Sequence, residues 1–514
     1  MRANTSLIDA FNKSAKEHAT DLAVIDGDRS YSFAEIKKSS DQFAVGLIAK
    51  GISQGDRVAL YCINSANFAI AYMGIVKAGA IVVPINLLQK PAEIAYVMNN
   101  ASVSALIYHE AFEANVDIVR PDISNLLFEL CIRRDAEKSV AWNTLLNNAG
   151  DVPNLDIDAA NDLVAILYTS GTTGEPKGAM LTHQNLVTNT ASVFKAMKWR
   201  AGEEVISLVL PMFHAFAATV GMLTPLTHGC CFVPVSKFEP DSLLLCIEEN
   251  KCTVFLGVPS MYNVMLNTKA EKVSRFKSIR LCISGGASMP VDVLNRFEEK
   301  FNVPIYEGDG PTECSPVTCV NPIGGIRKVG TVGLAVPNVE MKILDEKGEE
   351  LPLGEIGEIA VRGAGVMKGY WKRPAETAET FHNDWFLTGD LGNEDEEGYF
   401  SILDRKKDMV IVNGMNVYPR IIEEVLYRLD GVREAAVIGM PDKTHGEIPV
   451  AYISLDEGFE LASNDIRSWC RQHLGSYEVP RKVIFLDELP KNAAGKIVKR
   501  VLNKQGEVER GIDK

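Results

Sequence analysis

The chain has 514 residues, of which 46% are hydrophobic, and a formal net charge of −14. That length exceeds one ordinary domain and calls for two or three compact units. The acidic balance, without any long Lys/Arg run, argues against binding a nucleic-acid duplex through a basic surface.

The opening stretch, MRANTSLIDAFNKSAKEHA, lacks an apolar signal region and reads as an amphipathic helix. Between residues 56 and 109 strands and helices alternate: DRVALYC, a helix over 64–78 capped by Asn64, IVVPI, a helix over 91–99, and SALIYH. Such alternation predicts a parallel α/β sheet. It recurs from 163 to 310 as LVAILYT, a helix from about 183, and then ISLVL, CCFVPV, TVFLGV, IRLCIS and VPIYEG. Residues 205–236 carry no Asp, Glu, Lys or Arg. However, Pro211, Pro225 and Pro234 break the run, so it reads as strand, helix and strand beside a pocket, not as a membrane span.

From about residue 330 the texture changes, and VEMKILDEKGEELPLGEIGEIAVRG predicts antiparallel hairpins or a small barrel. A second change follows DRKKD. IIEEVLYRL predicts a helix with Ile421, Ile422, Val425, Leu426 and Leu429 on one face. With EAAVIG, VAYISL, DIRSWCRQHL and KVIFL it forms a small α+β domain. The ten cysteines include no C-x-x-C pair and no metal-binding spacing, which fits buried reduced thiols in a cytoplasmic protein.

The densest chemical signal is Thr-Ser-Gly-Thr-Thr-Gly-Glu-Pro-Lys-Gly, residues 169–178, directly after the strand LVAILY. Gly171, Gly174 and Gly178 let the backbone turn and approach an anion, Ser170, Thr172 and Thr173 offer hydroxyl donors, and Lys177 offers a point charge; Thr169, which opens the loop, joins them as a nucleotide-binding candidate. The spacing is not that of a P-loop NTPase, because Pro176 precedes the lysine and Gly178 follows it.

YTSGTTGEPKGAMLTH resembles the phosphate loop of the adenylate-forming (ANL) superfamily, and further motifs of that family follow in order along nearly the whole chain. The resemblance implies an acyl-CoA synthetase using ATP, Mg²⁺ and coenzyme A. It implies a large N-terminal AMP-binding domain over 1–406, built of two α/β sheet subdomains and a β-barrel-like subdomain. A small mobile α+β C-terminal domain would follow over 407–514, hinged near Lys407.

Within the resemblance, Gly285, Gly286 and Ala287 of SGGASMP become adenine contacts. In EGDGPTECSP, Thr312 meets phosphate and Glu313 supplies the hard oxygen that Mg²⁺ takes. Asp309 stands where many relatives carry an aromatic residue that stacks on adenine; a carboxylate cannot stack, and Asp309 reads equally as a surface-turn residue. Asp390 of WFLTGDLG becomes a ribose contact, and Arg405 of DRKKD a ribose and phosphate contact. Gly414 is the glycine past which the pantetheine arm runs once the small domain has turned. Lys496 of PKNAAGKIVKR meets the acid's carboxylate and the α-phosphate, where a cation stabilises charge developing during adenylation.

His214, which alone would read as a core histidine, falls at the mouth of the acyl pocket. PMFHAFAATVGML and FLGVPSMYNVML would line that pocket, and apolar lining favours an apolar acid. GVPSMYNVMLN and DRKKDMVIVNGMNVYP most resemble bacterial medium- and long-chain fatty-acid:CoA ligases. An aromatic or alicyclic acid, or a carrier protein as thiol acceptor, stays open. So do a luciferase-like oxygenase and a non-enzymatic nucleotide- or acyl-binding protein, the latter supported only by Asp309. An amino-acid adenylation domain is disfavoured, since PMFHAF lacks the aspartate that would hold an α-amine. The partners expected are the small-molecule acid, ATP and CoA, with at most peripheral membrane contact and with a homodimer compatible with the sequence.

Overall fold

The structure is a computed structural model, and it describes residues 5–132, 142–146, 148, 150–169, 175–492 and 495–502. Among these residues the strands form four sheets. One has six strands in the order Phe128–Ile132, Ala105–His109, Arg57–Tyr61, Ile81–Pro84, Leu163–Thr169 and Lys177–Thr182. Its pairings are parallel except the last, where Leu163–Thr169 and Lys177–Thr182 run antiparallel. The glycine-rich segment therefore joins two neighbouring antiparallel strands before the helix His183–Ala196 begins.

The second α/β sheet has nine strands. Its centre, Ile305–Asp309, Leu281–Ser284, Val254–Gly257, Val205–Leu208 and Cys231–Pro234, is parallel, as the repeated strand–helix spacing predicts. The two sheets share one apolar core, in which Phe43, Phe68, Ile75 and Val82 join Leu208, Val220 and Phe255. Inside this core Lys77 is fully buried. Its ammonium lies 2.5 Å from Asp41 Oδ1 and 2.9 Å from Ser40 Oγ, so its charge is paired and hydrogen-bonded. Burial lowers its pKa to about 8, with Asp41 pulling the other way.

Helix Ala66–Lys77 is capped by Ser65, whose Oγ accepts from the Phe68 N–H at 3.2 Å, and not by Asn64. Asn64 has a longer reach. Its amide donates to the carbonyls of Leu208, Leu210 and Val235, and its Oδ1 accepts from Met212 N–H at 2.8 Å. The residue is thus consumed in fixing the chain at 208–212, and the next residue takes over the cap. The uncharged run 205–236 folds as strand Val205–Leu208, a wide π-type turn over Ala217–Leu223, helix Thr224–His228 and strand Cys231–Pro234. No helix among the described residues is long and apolar enough to cross a membrane.

A third sheet pairs Val339–Leu344 with Gly357–Gly363, then Trp385–Glu394, which also carries Phe381–His382 and Phe400–Arg405. All these pairings are antiparallel, as the hairpin pattern predicts, and the sheet forms half a barrel. The small C-terminal α+β domain follows, built on Val432–Asp442 paired with Gly446–Leu455. Helix Pro419–Tyr427 buries Ile422, Val425 and Leu426 against it, while Ile421 and Leu429 stay partly exposed. Nine of the ten cysteines are buried, Cys246 is half-buried, and all ten are free thiols.

Candidate active site

Four charged side chains converge where the half-barrel meets the end of strand Ile305–Asp309. Asp390 and Arg405 are register partners on adjacent strands, and Arg405 Nε lies 3.0 Å from Asp390 Oδ1. Burial raises the Asp390 pKa, while Arg405 and Lys496 oppose the rise. Burial raises Asp309 too, and Asp390 adds to it; Arg405 and Lys496 again pull down. Burial depresses the Lys496 ammonium, Arg405 depresses it further, and Asp390 and Asp309 push back. Each group's charge thus depends on the others. Asp309 is a strand residue facing this quartet, so the surface-turn reading of it is wrong. Its carbonyl accepts from both the N–H and the hydroxyl of Thr318 at 3.0 Å.

Lys496 is delivered by a tight turn. Its N–H donates to Asn492 Oδ1 at 2.9 Å, and its carbonyl accepts from Asn492 N–H at 2.9 Å. Gly495, at φ +79°, offers its carbonyl to Ser260 Oγ at 2.8 Å. A Cβ there would stand 2.8 Å from that hydroxyl, so both conformation and space call for glycine. Two further hydrogen bonds hold the small domain in this pose: Asn263 Nδ2 to Arg433 O at 2.7 Å, and Val291 N–H to Glu424 Oε2 at 3.3 Å.

Lys496 and His214 line the same cavity, walled also by Leu210, Pro211, Phe216, Val258, Gly286 and Asn492. Burial, with the Lys496 charge, lowers the His214 pKa to about 4, so the ring is neutral near pH 7. His214 Nδ1 accepts from the Phe216 N–H at 3.3 Å, which leaves the ring proton on Nε2 as a donor. Gly285 packs against the Phe216 ring, and Ala287 is half-buried in the turn that follows.

Of the phosphate-loop residues, Thr169 and Lys177 face each other as register partners. Ser170, Gly171, Thr172, Thr173 and Gly174 lie outside the described residues. Thr312 and Glu313 occupy a short helical turn, Thr312–Cys314. Among the described residues no group of three or more His, Cys, Asp or Glu could hold a metal. A single carboxylate suits Mg²⁺ carried in by nucleotide phosphates, since that ion keeps water and phosphate ligands and needs no protein cage. Gly414 lies outside the cavity wall, at the tip of a hairpin, with open space around its Cβ position.

Motif spacing does not mark the segment Met367–Arg373, which the fold brings to the site. Met367 N–H donates to Glu313 O at 2.7 Å, and Tyr370 OH to Glu313 Oε1 at 2.7 Å. Lys177 Nζ stands 5.3 Å from the centre of the Tyr370 ring. Arg373 reaches Glu175 Oε2 at 2.5 Å and Tyr96 OH at 3.2 Å. Nor does motif spacing mark Glu307, whose Oε1 accepts from Met289 N–H at 2.9 Å behind the glycine turn, while Oε2 is buried without a hydrogen-bond partner among the described residues. Burial pushes its carboxyl up to about 7, against the pull of Arg420. Neither feature has a spacing signature; only the fold brings these residues together.

The sequence profile of the AMP-binding enzymes matches residues 11–371, and that of the AMP-binding enzyme C-terminal domain matches 421–496. The chain is 34% identical to a long-chain-fatty-acid–CoA ligase of Bacillus subtilis over 97% of this chain and 94% of that protein. The crystal structure of ATP-bound MatB from Rhodopseudomonas palustris superposes with a TM-score of 0.89 at 33% identity, covering 98% of this chain and 99% of that one. A benzoate CoA ligase from Burkholderia xenovorans superposes with a TM-score of 0.88 at 26% identity, covering 97% and 99%.

Proposed function

The chain belongs to the family of AMP-binding enzymes and is an AMP-forming acyl-CoA ligase; from that premise we propose that its acid is a medium- or long-chain fatty acid. The observation that carries the substrate reading is the cavity wall. Leu210, Phe216 and Val258 offer apolar surface, Lys496 is its one charged group among the described residues, and the neutral His214 adds a hydrogen-bond donor. Such a site takes a carboxylate at the lysine end and an apolar body beyond it. An aromatic or alicyclic acid is the second reading. The Phe216 ring in the cavity wall, a flat apolar face, favours it.

In the first half-reaction the carboxylate oxygen attacks the α-phosphorus of Mg·ATP and pyrophosphate leaves. Two anions must be brought together, so positioning and fixed positive charge supply most of the rate. Lys496 stands where the carboxylate and α-phosphate would meet. Asp390 accepts hydrogen bonds from the ribose, Arg405 bridges ribose and phosphate, and Gly285, Gly286 and Ala287 lie along the adenine. Asp309 replaces the stacking aromatic of many relatives with a carboxylate facing Lys496 and Arg405. Thr169, Ser170, Gly171, Thr172, Thr173, Gly174, Lys177 and Thr312 would hold the phosphates, and Glu313 would meet their Mg²⁺, which would neutralise phosphate charge. In the second half-reaction the thiol of CoA takes the acyl group and AMP leaves.

The units doing this are residues 1–406 and 407–514, with a hinge near Lys407. The exposed turn after Arg405, between the half-barrel's last strand and the small domain's first at Val410, supports that boundary. This pose, with Lys496 in the cavity, suits adenylation; rotation would withdraw the lysine and bring up the Gly414 hairpin.

The test is AMP release by the purified enzyme with Mg·ATP and acids from acetate to palmitate plus benzoate, with and without CoA. Turnover rising with chain length and stimulated by CoA supports the fatty-acid reading. A maximum at benzoate transfers the assignment to the second reading. Acid-dependent pyrophosphate exchange without CoA stimulation points to a carrier-protein thiol.

A further inference from the structure

Tyr370 lies on a segment that braces two separate parts of the nucleotide site. Lys368 N–H donates to Met180 O, Met180 N–H to Gly369 O, and Trp371 N–H to Gly178 O, at 2.9, 2.9 and 2.8 Å. The segment therefore runs antiparallel along Lys177–Thr182, the strand that leaves the phosphate loop. Its other end is fixed to the Thr312–Cys314 turn by the bond from Met367 N–H to Glu313 O at 2.7 Å. Tyr370 is buried between the two. Its hydroxyl donates to Glu313 Oε1 at 2.7 Å, and its ring sits beneath Lys177, 5.3 Å from the ammonium. A short bond from a buried donor to an anion fixes the carboxylate's rotation. With Oε1 engaged, Oε2 is the oxygen left for a cation. A cation over a π-face gains attraction and loses freedom, so the lysine head is held as well.

We propose that Tyr370 is a positioning residue for Mg·ATP, its hydroxyl orienting the Glu313 carboxylate toward the metal and its ring seating Lys177 beside the phosphates. This rests on the reading of Glu313 as the Mg²⁺ contact and Lys177 as a phosphate contact. Glu313 and Lys177 are 136 positions apart, and one side chain sets both.

The test uses the whole enzyme, with Tyr370→Phe, which keeps the ring and removes the hydroxyl, and Tyr370→Leu, which removes both. ATP affinity is measured by calorimetry with excess Mg²⁺ and again in EDTA. Tyr370→Phe should lose about tenfold of the affinity that Mg²⁺ adds, the scale of one hydrogen bond to a charged group. Its metal-free affinity should stay within about twofold of wild type. Tyr370→Leu should weaken metal-free binding as well, through Lys177. Both should convert supplied acyl-adenylate to thioester at nearly wild-type rate. A Tyr370→Phe enzyme with wild-type Mg²⁺ dependence, or with equal losses in Mg²⁺ and EDTA, overturns the proposal. Glu313→Gln separates the two levels. If it leaves the Mg²⁺ increment intact, the metal assignment fails and the role of Tyr370 with it. If it abolishes the increment while Tyr370→Phe does not, only the role of Tyr370 fails.

Discussion

Asp390 and Arg405 stand opposite each other on antiparallel strands and close an ion pair of 3.0 Å at the point where Lys496 enters from the small domain. Asp390 pushes the Lys496 proton affinity up, against burial and Arg405. Removing that negative charge by Asp390→Asn therefore lowers the lysine pKa further. In the role proposed for it Lys496 acts as a cation, so its contribution is lost as pH rises through that pKa. The alkaline limb of the adenylation profile should move to lower pH in the variant, and the KM for ATP should rise by about tenfold as ribose hydrogen bonds to a charged acceptor are lost. A variant whose limb stays put would remove Asp390 from the lysine's electrostatics.

Lys496→Ala tests the lysine directly. Loss of a fixed cation at developing charge costs about 10²–10³ in rate for comparable oxyanion donors, and adenylation should fall by that order. Thioester formation from supplied acyl-adenylate and CoA should stay within about twofold, because in the proposed mechanism that step draws on the other domain orientation. Equal losses in both half-reactions would contradict the assignment.

The repeated strand–helix alternation made the two α/β sheets legible, since a two-residue strand period and a 3.6-residue helix period are local properties. The hairpins after 330 and the small domain were legible for the same reason. Asn64 was misread because Asn and Ser are both good caps, and only tertiary structure decides which of the two is free to act as one. Asp390, Arg405 and Lys496 carried no signal of their own beyond the resemblance, whereas the fold brings them together from three separate motifs. Tyr370 and Glu307 were invisible because their partners, Glu313 and Met289, are reached through space and not by spacing. Asp309, ambiguous as a turn residue, is resolved by its neighbours.

Glu307 makes a prediction about stability. Its folded pKa, near 7, lies above its ordinary value of 4.5. The folded state therefore holds this proton more tightly, and the stability it gives is complete below about pH 4.5 and is lost as pH rises through 7. The swing is on the order of 3 kcal/mol at about 1.4 kcal/mol per pK unit. Arg420, Glu424 and Asp309 share its surroundings, and Arg420 limits the shift. Glu307→Gln cannot ionise, so its melting temperature relative to wild type should climb between pH 5 and pH 8.5, by a few degrees, since 1 kcal/mol shifts a 150–250-residue protein by about 2–4 °C and a chain of this length by less. A constant offset across that range would show that Glu307 does not titrate in the fold.

Gly414 should separate the half-reactions in the opposite sense from Lys496. Asn413 and Gly414 both have positive φ, 51° and 82°, the geometry of a two-residue hairpin turn between Val410–Val412 and Met415–Val417. Nothing lies within 4 Å of a Cβ at Gly414, so a side chain begins in open space in this pose, and the positive φ costs about 1–2 kcal/mol of backbone strain. Gly414→Leu should therefore form acyl-adenylate within about twofold of the wild-type rate. If rotation brings this hairpin against the pantetheine arm, the leucine will fill the path, and CoA-dependent release should slow by tenfold or more (about 1.4 kcal/mol) while acyl-adenylate accumulates on the enzyme. Single-turnover measurement of both species checks it. A leucine variant that transfers the acyl group to CoA at full speed would place the thiol's approach elsewhere, because no small-residue requirement would then remain at that turn.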